Sequence, residues 1–251
     1  MSEIRWRTLD LDAMDEEKRQ EWLQTLAPLQ AAIFGETARV QLASYLFRDQ
    51  ASRNRLRLFY ADRTLVGYQG VHLFETRSRQ GEAIAVLRAE AGLLRPYRRH
   101  HLTPRLLWAE AVRYKLRHPG RRLLYLSVYV HPSSYRLAWD CSRAIYPGPG
   151  PAIPSDLAEL REQLVDYFAL VRPDVARPLV LDSGWVVQDS QADRDFWAAC
   201  PHPAVRRFLA LNPDYARGLG LLTLIPLHWR NLAWGLWALL ANRWRGDASG
   251  R

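Results

Sequence analysis

Cysteine, lysine and methionine are all scarce in this chain of 251 residues, and the scarcities exclude function classes. Two cysteines, Cys141 and Cys200, cannot build a disulfide framework, so a reducing, cytoplasmic setting is the simpler expectation. The stretch MSEIRWRTLDLDAMDEE holds no apolar core of signal-peptide length. A membrane-crossing helix needs about 20 apolar residues. Here two charge-free runs, 218–229 and 231–242, stop at 12 residues each, and Arg230 divides them. No G-x-S-x-G nucleophile signature occurs. His100 and His101 are adjacent and cannot easily share one metal, while the segment 200–203 (CPHP) offers only two ligands, so no metal is expected. No helix carries a dense basic face and no nucleic-acid motif is present, which makes nucleic acid an unexpected partner.

Arginine, by contrast, is abundant. Of 35 basic residues all but Lys18 and Lys115 are Arg, and the formal net charge is +9. A guanidinium is a planar fork suited to phosphate. Such a charge bears on partners rather than on fold. The 48% hydrophobic and 24% charged residues are ordinary for a globular domain.

Alternation in SEIRWRTLD predicts a first strand, and Trp22, Leu26, Leu29 and Ile33 form one stripe of a helix over 13–33, with Pro28 expected to kink or divide it. A second helix is expected over 38–47. RLRLFYA and LVGYQGVHLFET flank Asp62 and Arg63 as a hairpin, with Val66, Tyr68, His72 and Phe74 on one face. Residues 82–94 predict a third long strand. Thr103 stands where a helix N-cap belongs, Pro104 suits the first helical position, and His118-Pro119-Gly120 ends that helix. LLYLSVYV (123–130) is another strand, followed by a helix capped by Ser133 or Ser134. After the Pro/Gly run YPGPGPAIP come a helix from Ser155 and a strand pair around 179–189. Short helices broken by Pro201, Pro203 and Pro213 follow, and one helix is expected over 227–244. In that last helix Trp229, Leu232, Leu236, Trp237, Leu240 and Trp244 share a stripe.

The stretch LLRPYRRHHLTPRLLWAEA (93–111) concentrates five basic or imidazole side chains at the mouth of a helix. Strand, basic turn, helix, apolar strand, short helix: this order resembles the GNAT-type acyltransferase superfamily, over roughly residues 1–146. The resemblance implies an α/β (α+β) fold with a central mixed sheet flanked by helices. It divides the chain into a core (1–146), a linker, helix and completing strands (147–190), and a helical Trp/Arg-rich region (191–251). It also implies an R/Q-x-x-G-x-G/A turn that holds the pyrophosphate of coenzyme A on backbone N–H groups at a helix N-terminus. Arg98 takes the first place of that pattern, His101 the first Gly place and Thr103 the second. The implied binding residues are Leu93, Leu94, Arg98, Arg99, His100, His101, Leu102 and Thr103. Neither His101 nor β-branched Thr103 has the backbone freedom of glycine.

The family chemistry so implied is attack of an amine on a thioester carried by coenzyme A or an acyl carrier protein. Backbone N–H groups near Leu93 and Leu94 would hold the thioester oxygen. Glu90, a carboxylate in an apolar strand, is the first base candidate; its alternative is a structural pair with an Arg. His131 at a strand end is the second, and by spacing Ser142 falls on the place of the family's acid. A catalytically decayed module of the same fold, binding a membrane or a protein, is the competing expectation. The apolar C-terminal helix is expected to pack on protein, including a second copy in a homodimer, or to lie on an anionic membrane surface at its inner face.

Overall fold

The structure, a computed structural model, describes residues 3–35, 42–100 and 102–248, the side chains of Arg99, His100 and 242–248 excepted. Its elements run β1 (Ile4–Asp10), α1 (Glu16–Phe34), α2 (Leu42–Leu46), β2 (Arg53–Ala61), β3 (Thr64–Arg77), β4 (Ala83–Leu93), a 3-10 turn (Arg95–His100), α3 (Pro104–Arg117), β5 (Arg122–Tyr129) and α4 (Pro132–Asp140). Next come α5 (Ser155–Tyr167), β6 (Val180–Asp182), α6 (Gln191–Ala199), α7 (Pro203–Leu211), β7 (Leu219–Pro226) and α8 (Trp229–Ala248).

Seven strands make one sheet in the order β1-β2-β3-β4-β5-β7-β6. Neighbours are antiparallel except β4 and β5, which are parallel. Asp62 and Arg63, both at positive φ, close the β2–β3 hairpin as the expected two-residue turn. Strand alternation sends successive side chains to opposite faces. On one face Ala85, Leu87, Leu123 and Tyr125 pack under α3, α4, α7 and α8. On the other, Ile84, Val86, Leu124 and Leu126 pack under α5, while Leu56, Leu58 and Tyr68 pack under α1 and α2. Burying a large apolar side chain contributes about 1.5–3 kcal/mol, so the two layers brace the sheet from both sides.

The decisive feature is where β4 and β5 part. Their pairing covers only Ile84–Leu87 against Arg122–Tyr125. Beyond Leu87, β4 stays paired to β3 up to Leu93, and beyond Tyr125, β5 stays paired to β7 up to Tyr129. A V therefore opens between the strands, with the basic turn at its mouth.

Several expectations need correction. Helix α1 runs through Pro28 undivided. Only 42–46 of the second expected helix is helical; 38–41 lie outside the described residues. Thr103 precedes α3 in right-handed helical conformation and makes no capping bond with its side chain. The cap of α4 is His131, whose ring accepts from Ser133 N–H, not either serine. Around 179–189 only β6 forms, and its partner is β7 (Leu219–Pro226), where no strand was expected.

Candidate active site

Glu90 sits on β4 in the diverging half, on the face covered by α1, α2 and α5. Register places it directly opposite Gly70 of β3. A Cβ on Gly70 would overlap Glu90 Oε1, so the missing side chain is what lets the carboxylate lie down across β3. There Glu90 Oε1 meets His72 Nε2 at 2.8 Å. His72 is fully buried and the Glu90 side chain is 10% exposed. On its other side His72 Nδ1 lies 2.6 Å from Asn54 Oδ1. Asn54 in turn donates from Nδ2 to Asp12 Oδ1 (2.8 Å) and Arg48 O (3.2 Å), and from its backbone N to Asp12 Oδ2 (3.0 Å). A line of polar groups thus runs from exposed Asp12 beyond β1, through β2 and β3, to Glu90 on β4.

Hydrogen-bond logic fixes the protons along this line. Both partners of Asn54 Nδ2 are pure acceptors, so the amide is oriented with Oδ1 toward His72. Oδ1 can only accept, hence His72 Nδ1 carries a proton. One further proton then occupies the Nε2–Oε1 contact, on His72 with Glu90 ionised or on Glu90 with His72 neutral. Arg88 is the register partner of His72, stacked 4.7 Å over the Phe168 ring, and burial lowers its pKa to about 10. Tyr68 lies diagonally across from Glu90; burial first, then the Glu90 charge, pushes its phenol well above the usual range, and its hydroxyl donates to Gln30 Oε1.

The edge of β4 also faces the V. Leu94 N–H donates to Val66 O at 2.9 Å. Antiparallel alternation then turns the N–H and C=O groups of Leu93, Ala91 and Ala89 to the opposite edge, toward β5. Of the two residues expected to supply an oxyanion donor, Leu93 has its N–H on the open side and Leu94 has its own spent on β3. The Leu93 carbonyl accepts from Arg98 Nε at 3.1 Å.

The second histidine behaves differently. His131 Nδ1 lies 2.6 Å from Ser133 Oγ and accepts from Ser133 N–H at 3.2 Å, so the ring proton belongs on Nε2, which donates to Asp189 Oδ2 at 2.9 Å. Both side chains are 7% exposed. Trp197 and Tyr215 stand edge-on to the ring. Asp189 also lies 4.0 Å from Arg98, and Arg95 is paired with Asp193 of α6. Burial lowers the Arg98 pKa. Residues 183–193 thus cross the mouth of the V: Tyr45 donates to Ser183 O, Trp185 packs edge-on to Phe34 and Tyr45, and the two aspartates reach the basic turn.

Of the other expected residues, Arg99 and His100 share the 3-10 turn, in which Tyr97 N–H returns to Leu94 O. His101 lies outside the described residues. Leu102 is buried in a small cluster with Phe59 and Val66. Ser142 follows α4 near the start of β5, at the opposite end of the sheet from Glu90. Among the described residues its buried hydroxyl has no hydrogen-bond partner, and the adjacent Arg143 and Ala144 amides both bind Asn231 Oδ1. Glu90 and Leu93 share the diverging half of β4, His131 and Arg98 both face Asp189, and Ser142 lies apart. Sequence reading missed His72, Asn54, Asp12, Gly70 and Asp189; only His72, a polar residue on an apolar strand face, carried a local signal. Among the described residues no group of three or more His, Cys, Asp or Glu is placed to hold a metal ion.

Mixed sheet, a single parallel pair that splays, and a helix after the turn match the expected order element by element. The architecture is the central mixed sheet flanked by helices that the resemblance to GNAT-type acyltransferases implies. No family model and no curated protein matches it. Solved structures to which the chain is similar include an N-acetyltransferase from Staphylococcus aureus Mu50, at 11% identity and a TM-score of 0.33 over 90% of this chain and 99% of that one. Another is the GNAT-like decarboxylase GphF in complex with isobutyryl-CoA, at 13% identity and a TM-score of 0.38 over 89% and 100%. A third is the ribosomal-protein-alanine N-acetyltransferase from Brucella melitensis biovar Abortus 2308, at 16% identity and a TM-score of 0.31 over 64% and 90%. At these scores the likenesses carry no argument about this chain, and its architecture rests on its own strand order.

Proposed function

We propose that this GNAT-type chain is an acyltransferase that moves an acyl group from a thioester, on coenzyme A or an acyl carrier protein, to an amine or similar nucleophile. The observation that supports this reading is the Glu90–His72 pair, held across β3 and β4 in the half of the sheet where β4 and β5 diverge. In the step, the amine nitrogen attacks the thioester carbon and its proton passes to Glu90. Leu93 N–H faces the side on which the thioester oxygen gains charge. The C–S bond then breaks, and the leaving thiolate takes up the proton, which restores the pair. The apolar terminal helix accords with a lipid-like donor or acceptor. A thermal-shift series with acyl thioesters of several chain lengths tests binding, because a ligand of the native state raises stability by mass action. Replacing Arg98 and Arg99 with Ala should weaken donor binding and flatten its salt dependence. If no thioester shifts the melting temperature, the reading fails.

A second reading is a non-catalytic binding module of the same fold, and the latch of Asp189 and Asp193 across the basic turn favours it. The chain's own acids already occupy Arg95 and Arg98. A chain that binds no thioester, with Asp193 intact or replaced by Ala, is that module.

A further inference from the structure

Helix α8 has two unlike faces. Its inner face is committed: Leu232 and Ala238 are buried, and a Cβ on Gly235 would overlap the Trp108 ring of α3. Its outer face is apolar and open. Trp229, Trp234, Leu236, Trp237 and Leu240 are 45%, 39%, 43%, 58% and 59% exposed. The stripe expected from sequence is therefore divided, Leu232 turning inward and the rest of its described members outward. Trp234 and Trp237 stack with centroids 5.0 Å apart. A contiguous exposed patch of large apolar side chains marks a contact surface.

We propose that this face docks in the interfacial layer of an anionic membrane, with the helix lying in the plane. Charge selects that occupant. Between Asp214 and Asp247 the sequence holds no acidic residue, while Arg217, Arg230, Arg243 and Arg245 fall in the same span. Arg230 precedes the charge-free run 231–242 and Arg243 follows it. Pairing α8 with a second copy, antiparallel, sets Arg230 against the other copy's Arg243 and Arg245; parallel pairing sets each against itself. No acid in the run relieves either arrangement, whereas anionic headgroups answer both ends at once. Tryptophan suits that boundary, with an apolar ring and a polar N–H. Spanning is excluded by length: at about 1.5 Å per residue the 12-residue run covers about 18 Å, against about 30 Å of hydrocarbon. Among the described residues no helix is long and apolar enough to cross a membrane.

The test uses the full chain and vesicles of phosphatidylcholine alone or mixed with phosphatidylserine. Co-sedimentation should favour the mixed vesicles by about tenfold or more at low salt, and brominated acyl chains should quench tryptophan fluorescence. Trp237→Asp and Leu240→Asp alter exposed positions, so they should keep the circular dichroism spectrum and abolish sedimentation. Arg230→Glu should keep quenching on neutral vesicles while losing the anionic preference. Absence of binding overturns the proposal. So does binding that ignores Trp237→Asp, or a chain that elutes at twice its mass and becomes monomeric in that variant. Were Trp237→Asp to unfold the protein, quenching of the wild type by brominated lipid would still decide.

Discussion

Two histidine–carboxylate pairs flank the V, of nearly equal length, and they are chemically unlike. His72 meets Glu90 at 2.8 Å and His131 meets Asp189 at 2.9 Å. The difference lies at the other ring nitrogen. His72 Nδ1 faces an amide oxygen and must donate, so its carboxylate contact holds a proton that either side can take. His131 Nδ1 faces a backbone N–H and must accept, so its Nε2 proton is fixed and Asp189 stays a plain acceptor. A proton added to His131 would have to displace the helix cap. One pair can do proton chemistry without structural change; the other is a joint between α4 and the segment that crosses the V. A short His–carboxylate distance says little until the second nitrogen's partner is known.

The sharpest way to break the comparison is Glu90→Gln. Turnover should fall by about 100-fold or more with the fold intact, the usual weight of a general base. If melting temperature falls in step with activity, Glu90 is a structural partner and the contrast disappears. Asn54→Leu comes next. Without Oδ1 the ring is free to carry its one proton on Nε2, leaving Glu90 a bare carboxylate; the expected loss is on the order of 10- to 100-fold, as for groups that orient a reactive side chain. Unchanged turnover in this variant would separate Asn54 from the chemistry. His131→Ala should cost about 1–3 kcal/mol in urea unfolding, from the lost cap and the lost donor to buried Asp189, which would keep only its longer contact with Arg98. Turnover per folded molecule should hold; a kinetic loss here without one in Glu90→Gln would exchange the roles of the two pairs. The smallest effect is Thr103→Ala, expected within about 0.5 kcal/mol because its hydroxyl makes no capping bond.

The strands β4 and β5 and the basic turn between them were legible because each has a local signature, apolar strands and a Pro at a helix start, and Glu90 stood out as a carboxylate in an apolar run. What completes the site was not. His72 shares a face with Tyr68 and Phe74, but its meeting with Glu90 depends on the register that sets Gly70 opposite Glu90. Asn54 and Asp12 come from other parts of the chain altogether. Asp189 arrives from a segment with almost no regular structure. Thr103 misled because residue type fits a cap while its backbone dihedrals do not. β7 was hidden for another reason: GLGLLTLIP is uniformly apolar and runs straight into an apolar helix, and periodicity cannot divide such a stretch.

That strand has a consequence for synthesis. β7 lies between β5 and β6, so the outer edge of β5 has no neighbour until Leu219–Pro226 have been made. From Tyr129 to Leu219 the growing chain carries an apolar, hydrogen-bond-hungry strand edge, the kind that recruits other strands. Closure of the sheet is among its most distant pairings in sequence, and such contacts form slowly. A ribosome paused before residue 219 would therefore hold an aggregation-prone nascent domain, and a chain cut short there should depend on chaperones to stay in solution.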